Sequence, residues 1–178
     1  MNNLTPVRRY KRSYAAFPAT LGVLLVIYSS FVEARTPGVD LQISQPTTGL
    51  LKVWALNEIE AQPQRRIVTS SPYFSGTATF DGPLMADLLT ATLGAEPKAS
   101  TTIKLVALNN YVVETTFSKL KNYDAIMATK KNDSRMLIRE RGPLWVILPL
   151  TDRPNLDSAD FHRLIIWQLS DIIVGESQ

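Results

Sequence analysis

The sequence predicts a β-rich α+β domain with antiparallel hairpins and few helices. Most segments that alternate apolar and polar residues have strand length, whereas residues 84–93 keep apolar residues at helical spacing. Gly82-Pro83 is expected to break the strand before this helix and to start it, and Gly94 is expected to end it. With 178 residues and 45% hydrophobic content, the chain suffices for one domain with a substantial core. We therefore expect a single folded domain over residues 35–178.

The first part of this domain is predicted to be mostly strand. Alternating apolar residues over 39–43 indicate a first strand at the edge of a sheet. The mixed apolar spacing over 50–59 favours a passage from a strand to a short helix. Residues 66–70 and 77–80 have strand composition, and residues 71–76 between them are typical of a turn and loop.

Two hairpins are predicted in the second half of the chain. Their strands are expected to pair 102–108 with 111–116, and 125–128 with 135–138. Asn109-Asn110 and Asn132-Asp133 lie between these strands, and both residue types tolerate the positive φ that tight hairpin turns require. The turns therefore set the predicted pairing.

The last third of the chain completes the predicted sheet. Residues 144–148 form a nearly continuous apolar run, which is typical of a central strand buried on both faces, and residues 164–174 provide the last strand or strands. Asp157 and Asp160 are expected to cap a helix N-terminus, since they lack the glycine and regular spacing of a calcium loop. His162 is expected at the surface or at a helix end, because no nucleophile lies near it in the sequence.

The N-terminal 34 residues are typical of a secretory signal peptide. Four basic residues between positions 8 and 12 precede an apolar run over 15–32, and Val32-Glu33-Ala34 fits the small-x-small pattern of a cleavage site. Cleavage after Ala34 would release a periplasmic protein. The apolar run of about 18 residues is also near the lower limit for a membrane-spanning helix, so an uncleaved N-terminal anchor is the alternative. The basic residues leave both general and twin-arginine export open.

Composition excludes several classes of function. Beyond residue 34 the chain carries 15 basic and 15 acidic side chains, so no excess positive charge points to a nucleic-acid partner. The sequence contains no cysteine, which excludes disulfides, thiolate metal sites and iron–sulfur clusters. His162 is the single histidine, so one chain cannot build a zinc or copper site from several imidazoles.

Four short motifs carry a resemblance to a known family. They are Thr79-Phe80-Asp81-Gly82-Pro83-Leu84, Ala107-Leu108-Asn109-Asn110-Tyr111, Gly142-Pro143-Leu144-Trp145 and Ile166-Trp167-Gln168-Leu169. In this order and at these spacings they resemble the molybdopterin-binding domain of the sulfite oxidase family, in its small exported form. The resemblance implies the sulfite oxidase-like fold, a molybdopterin cofactor and oxidoreductase activity.

The resemblance also implies a position for the molybdenum ligand. Enzymes of the family hold molybdenum through one cysteine thiolate, in the segment that corresponds here to Val68–Tyr73. This chain has Ser70 and Ser71 there. A serine hydroxyl is far harder to deprotonate than a thiol and lacks the soft donor character of sulfur. We therefore expect no molybdenum and assign no catalytic residue or metal ligand, while binding of a pterin or another small molecule remains open.

A candidate binding cleft can be assigned by combining the motifs with the predicted sheet. Its expected wall combines the first hairpin tip with the turn before the buried strand, and its floor lies where the relatives carry cysteine: Asn109, Asn110, Tyr111, Arg139, Arg141, Gly142, Ser70 and Ser71. Arginine beside a glycine-containing turn offers a fork of donors that suits a phosphate or carboxylate. The alternative is that residues 139–141 form a solvated charge cluster.

Two functions follow from these observations. The first is an exported, non-catalytic binding module that recognises a small molecule, or a partner protein that is itself exported or membrane-bound. The second is a molybdopterin-dependent oxidoreductase, or a subunit of one, with a ligand other than cysteine. Metal analysis of the exported protein distinguishes them.

Overall fold

The computed structural model describes residues 41–177. The predicted signal peptide, its cleavage site and the alternative anchor lie outside the described residues. Eleven strands and four α-helices are found within this part of the chain, so the β-rich α+β class is confirmed. Within the same residues no helix is long and apolar enough to cross a membrane.

The largest sheet has five strands in the order β2-β1-β11-β5-β6. Their bounds are β1 Leu41–Gln45, β2 Leu50–Trp54, β5 Thr101–Ala107, β6 Val112–Thr116 and β11 Leu169–Ser177. Strand β1 runs parallel to β11 and antiparallel to β2. The expected edge position of the first strand is therefore wrong. Alternation indicates which face of a strand is buried, but not how many neighbouring strands it has.

A second sheet has four strands in the order β3-β4-β8-β9. Their bounds are β3 Gln64–Ser71, β4 Phe74–Pro83, β8 Lys130–Lys131 and β9 Ser134–Arg135. Strand β4 begins earlier than predicted and continues through Gly82-Pro83, so this dipeptide ends the strand and does not start the helix. A Cβ at Gly82 would lie 1.9 Å from the carbonyl oxygen of Met127. Glycine is therefore required here because two backbones meet.

The second predicted hairpin is correct in its turn and wrong in its strands. Asn132 and Asp133 have φ of 49° and 63° and connect β8 with β9. Strand β7, Ile126–Ala128, does not pair with residues 135–138; its partner is β10, Trp145–Ile147, in a separate two-stranded sheet. Strand β10 is fully buried as predicted, and it has a neighbour on each edge: β7 on one, and on the other the segment at residues 166–167, through the Trp145–Trp167 bridge and a hydrogen bond of 2.9 Å from the N–H of Val146 to the carbonyl oxygen of Ile166.

The helices are short and follow the strands. They are α1 Leu56–Glu60, α2 Met85–Leu93, α3 Phe117–Asn122 and α4 Ala159–His162, with 3-10 helices at Ile138–Glu140 and Pro154–Leu156. The predicted helix is α2, and Gly94 ends it with φ of 73°. The N-cap of α4 is Ser158, so neither Asp157 nor Asp160 caps a helix as predicted.

The core brings together side chains from all three sheets. Phe80 and Trp145 are among its largest members, and the indole of Trp145 is 1% exposed. Trp167 packs against this core but remains partly accessible. The two rings meet edge to face with centroids 6.3 Å apart. This contact connects the core with the surface on which the candidate site lies.

Candidate functional site

A cavity of about 410 Å³ lies between the β8–β9 hairpin and the 3-10 helix over residues 138–140. We call it the basic cavity. Four of the residues that line it are basic, one is acidic and one is the buried tryptophan: Lys131, Arg135, Arg139, Arg141, Glu140 and Trp145. Its volume falls within the range of about 300–1,000 Å³ typical of small-molecule sites.

The chain places Arg141 at the cavity through an unusual backbone conformation. Arg141 ends the 3-10 helix with φ of 69°, in the left-handed region that non-glycine residues seldom occupy. Two hydrogen bonds hold it there, from its own N–H to the carbonyl oxygen of Ile138 at 3.1 Å and from the N–H of Gln168 to its carbonyl oxygen at 3.3 Å. The site therefore depends on contact between the 3-10 helix and the chain before β11.

The side chain of Arg141 is held by aromatic rings. Its guanidinium carbon lies 5.5 Å from the ring centroid of Trp145 and 5.1 Å from that of Trp167. Nη1 donates a hydrogen bond to the backbone carbonyl oxygen of Tyr73. A cation within about 6 Å of an indole face is attracted by the ring quadrupole. These contacts fix the position of the charge and leave it positive.

Lys131 is held in the same way. Its Nζ lies 4.7 Å from the ring centroid of Phe74, 5.9 Å from that of Trp145 and 6.0 Å from that of Phe80. Among the described residues no carboxylate forms an ion pair with Lys131 or with Arg141. The basic cavity therefore has two fixed, uncompensated positive charges, both in contact with the Trp145 ring.

The other charged groups of the cavity are partly compensated. Arg135 binds Glu60 through two hydrogen bonds of 2.9 and 2.5 Å, and hydrogen bonding from Arg135 lowers the pKa of Glu60. Glu140 accepts a hydrogen bond of 3.2 Å from the backbone N–H of Leu137. Arg139 is exposed to solvent. With Arg135 neutralised by Glu60, three basic side chains remain against one acid.

One buried donor at this cavity lacks a partner. Trp145 Nε1 is buried and makes no hydrogen bond within the described part of the chain. A buried, unpaired N–H costs about 1–3 kcal/mol. Because this N–H is itself buried, it does not open onto the cavity, and the preference for an anion rests on Lys131 and Arg141. The arrangement is suited to binding an anion, and it presents no nucleophile paired with a base.

The structure divides the predicted site residues between two cavities. Arg139 and Arg141 line the basic cavity, whereas Asn109 and Tyr111 line a second cavity of about 180 Å³. The predicted convergence on one concavity is therefore wrong. The first hairpin pairs with β11 at one end of the five-stranded sheet, and the 3-10 helix lies beside the β8–β9 hairpin of another sheet. Asn110, with φ of 65°, forms the hairpin turn as predicted.

The remaining predicted residues have local structural contacts. A Cβ at Gly142 would lie 2.2 Å from the carbonyl oxygen of Met136, so close packing explains this glycine. Ser70 donates its backbone N–H to Thr151 Oγ1 at 3.0 Å, and Ser71 Oγ accepts a hydrogen bond of 3.3 Å from the N–H of Tyr73. Neither serine lines the basic cavity or the second cavity, so the expected floor of the cleft is not found there.

The sequence analysis did not assign Lys131, Arg135 or Trp145 to the site. The predicted turn at Asn132-Asp133 indicated that Lys131 and Arg135 lie near each other, because a tight hairpin brings the residues on its two sides close together. The contacts of Lys131 with aromatic rings could not be predicted from the sequence, because those rings come from distant parts of the chain.

Comparison with known proteins supports the fold and nothing finer. No protein-family model matches the chain, and no curated protein matches it. Among solved structures, the crystal structure of the sulfane dehydrogenase SoxCD from Paracoccus pantotrophus is similar, with a TM-score of 0.57 and 9% sequence identity. The match covers 76% of this chain but only 38% of that chain. The match therefore shows a distant likeness in fold to a molybdopterin-containing oxidoreductase and does not establish the finer sulfite oxidase-like fold that the motifs imply.

Proposed function

We propose that this chain is an exported, non-catalytic module that binds a small anionic ligand in the basic cavity. The observation that carries the proposal is the pair of uncompensated cations, Lys131 and Arg141, which both line the cavity and are both held against the Trp145 ring. An unpaired ammonium or guanidinium next to a buried indole attracts anions strongly, because the surrounding rings lower the local dielectric constant.

The ligand is expected to carry a phosphate or a carboxylate. Arg141 and Arg139 offer planar forks of donors that match either group, and Ser134 adds a hydroxyl to the lining. A cavity of about 410 Å³ leaves room for an organic portion beyond the anionic group.

Molybdenum does not fit the residues that are present. The family's enzymes supply a single cysteine thiolate to the metal, and this chain has no cysteine. In the segment where the relatives place cysteine, Ser70 is bonded to Thr151 and Ser71 to the N–H of Tyr73. We therefore propose no oxygen-atom transfer, although the phosphate of a pterin has the chemistry that the basic cavity suits.

The proposed location is the periplasm, reached through the signal peptide over residues 1–34. We propose that the ligand-loaded module acts through a partner protein that is exported or membrane-bound. Nucleic acid is not expected as a partner, since the charges beyond residue 34 balance.

The proposal is tested by titrating the exported protein with inorganic pyrophosphate in a calorimeter at low salt. Lys131→Met keeps the apolar stem and removes the charge, and it should weaken binding at least about tenfold. Lys130→Met is the matched control: consecutive residues of a strand point to opposite faces, and Lys130 does not line the basic cavity. Equal losses in both variants, or no binding by the parent protein at millimolar pyrophosphate, would refute an anion site in this cavity.

A molybdopterin-dependent oxidoreductase is the second candidate, supported by the fold similarity to a sulfane dehydrogenase. Metal analysis of protein exported from molybdenum-replete cells separates the two functions. We expect molybdenum well below one atom per chain. Stoichiometric molybdenum would show that a ligand other than cysteine holds the metal, and would replace the binding-module proposal.

A further inference from the structure

We propose that the second cavity is a separate binding site for a single aromatic ring that carries a carboxylate. This cavity, which we call the aromatic cavity, is lined by rings, by buried aliphatic side chains and by a polar rim from the first hairpin and the end of α4. The residues used below are Tyr73, Trp167, Ile165, Ile166, Asn109 and Arg163.

Its walls are apolar and held in place. Tyr73 and Trp167 meet edge to face with ring centroids 5.1 Å apart, and the hydroxyl of Tyr73 donates to the backbone carbonyl oxygen of His162 at 3.1 Å. Ile165 and Ile166 are each 2% exposed. Rings whose orientation is already set can receive another ring without losing side-chain entropy.

Its volume matches one ring. The aromatic cavity holds about 180 Å³. An engineered apolar cavity of about 150 Å³ in another protein binds benzene, whereas drug-sized ligands occupy about 300–1,000 Å³. A monocyclic ligand therefore fits, and a fused bicyclic or tricyclic ring system does not. This limit separates the aromatic cavity from the larger basic cavity.

Its rim selects an anionic substituent. Arg163 is exposed and donates through Nε to the backbone carbonyl oxygen of Asp160 at 3.1 Å, and within the described residues no acid forms an ion pair with it. His162 Nε2 lies 2.6 Å from Asp157 Oδ1, so its charge, when present, is compensated locally. Asn109 adds an amide to the rim. Arg163 is thus the uncompensated charge at the cavity, and a carboxylate is its natural partner.

The free carboxylic acid of a single ring is the smallest ligand that uses both features. The ring would contact Ile165, Ile166 and the two aromatic walls, while the carboxylate would face Arg163. Tyr111, which is 51% exposed at the hairpin tip, lines the same cavity and could contact the outer edge of the ring. Arg141 of the basic cavity contacts two walls of this site, the Trp167 ring and the carbonyl oxygen of Tyr73, so the two cavities are neighbours although their ligands differ.

The test is a titration of the exported protein with benzoate, followed by NMR of the isoleucine and methionine methyl groups and by calorimetry. We expect shifts at Ile165 and Ile166, and binding at least about tenfold tighter than that of the neutral, isosteric benzamide. 2-Naphthoate, which has a second fused ring, should not bind. Arg163→Gln should remove the preference of benzoate over benzamide, while Arg65→Gln, an exposed arginine that lines neither cavity, should retain it.

Several outcomes would overturn the proposal. The first is that benzoate does not bind at 10 millimolar, a concentration about tenfold above a dissociation constant of about 1 millimolar. The second is that 2-naphthoate binds with the same affinity as benzoate. Shifts confined to Met136 would place benzoate in the basic cavity instead. Because pyrophosphate and benzoate binding are measured separately, absence of benzoate binding in a protein that binds pyrophosphate would refute this site alone, and absence of pyrophosphate binding in a protein that binds benzoate would refute the basic cavity alone.

Discussion

Replacement of Trp145 tests the buried cluster on which the basic cavity rests. The indole is 1% exposed and contacts the rings of Phe74, Phe80 and Trp167, with centroids 5.6 to 6.3 Å away. Truncation of a large aromatic core residue to alanine costs about 3–5 kcal/mol. Trp145 also contacts the Lys131 and Arg141 cations, so we expect Trp145→Ala to lower the free energy of unfolding by about 4 kcal/mol.

Trp145→Phe should be much less costly than Trp145→Ala. This substitution removes part of the buried indole ring, but it also removes Nε1, which is buried without a partner. Since an unpaired buried donor costs about 1–3 kcal/mol, its removal offsets much of the lost packing, and we expect a net cost below about 2 kcal/mol. The free energies of unfolding of the two variants therefore report separately on the packing of the ring and on the cost of its unpaired N–H.

Urea denaturation followed by far-ultraviolet circular dichroism measures both effects without relying on tryptophan fluorescence. Trp167→Ala is the control: its ring is partly accessible, so its loss should cost roughly 2 kcal/mol. If Trp145→Phe costs as much as Trp145→Ala, the indole N–H has a partner and the reasoning about a vacant donor is refuted. If Trp145→Ala costs less than Trp167→Ala, Trp145 is not a core residue.

Three further predictions concern other parts of the chain. Gly82→Ala should destabilise by more than about 2 kcal/mol, because its Cβ would meet the backbone oxygen of Met127 at 1.9 Å; an unchanged thermal midpoint would contradict this contact. Glu60→Gln should lower the free energy of unfolding near pH 7 and lose this effect in acid. Arg135 lowers the pKa of Glu60, and the ion pair is lost as pH falls through that lowered pKa. Equal effects of the substitution at about pH 7 and about pH 3 would exclude the ion pair. Intact-mass measurement of the exported protein should show cleavage after Ala34, and a mass that includes residues 1–34 would favour the anchor instead.

Local features of the fold were predictable from the sequence because they depend on neighbouring residues. Helix α2 follows from apolar spacing and ends at Gly94, where φ is 73°. Asn110 and Asn132 adopt the positive φ that marked both turns. In each case the side chain or its absence changes the conformational preference of its own backbone.

Strand pairing was not predictable in the same way. Strand β7 pairs with β10 and not with residues 135–138, and β1 has a neighbour on each side. The hydrogen bonds that join strands come from backbone groups that nearly all residues share. A period of two identifies the buried face of a strand, but it leaves the identity of its neighbours open.

The same distinction applies to the candidate sites. The absence of a thiolate ligand, and the position of Arg139 and Arg141 before a buried strand, follow directly from the order of residues. Only the tertiary structure separated these arginines from Asn109 and Tyr111, and only it brought Lys131 against the rings of Phe74, Phe80 and Trp145. A composition is a property of the chain, whereas a cavity and its charge arise from side chains that become neighbours only when the sheets pack.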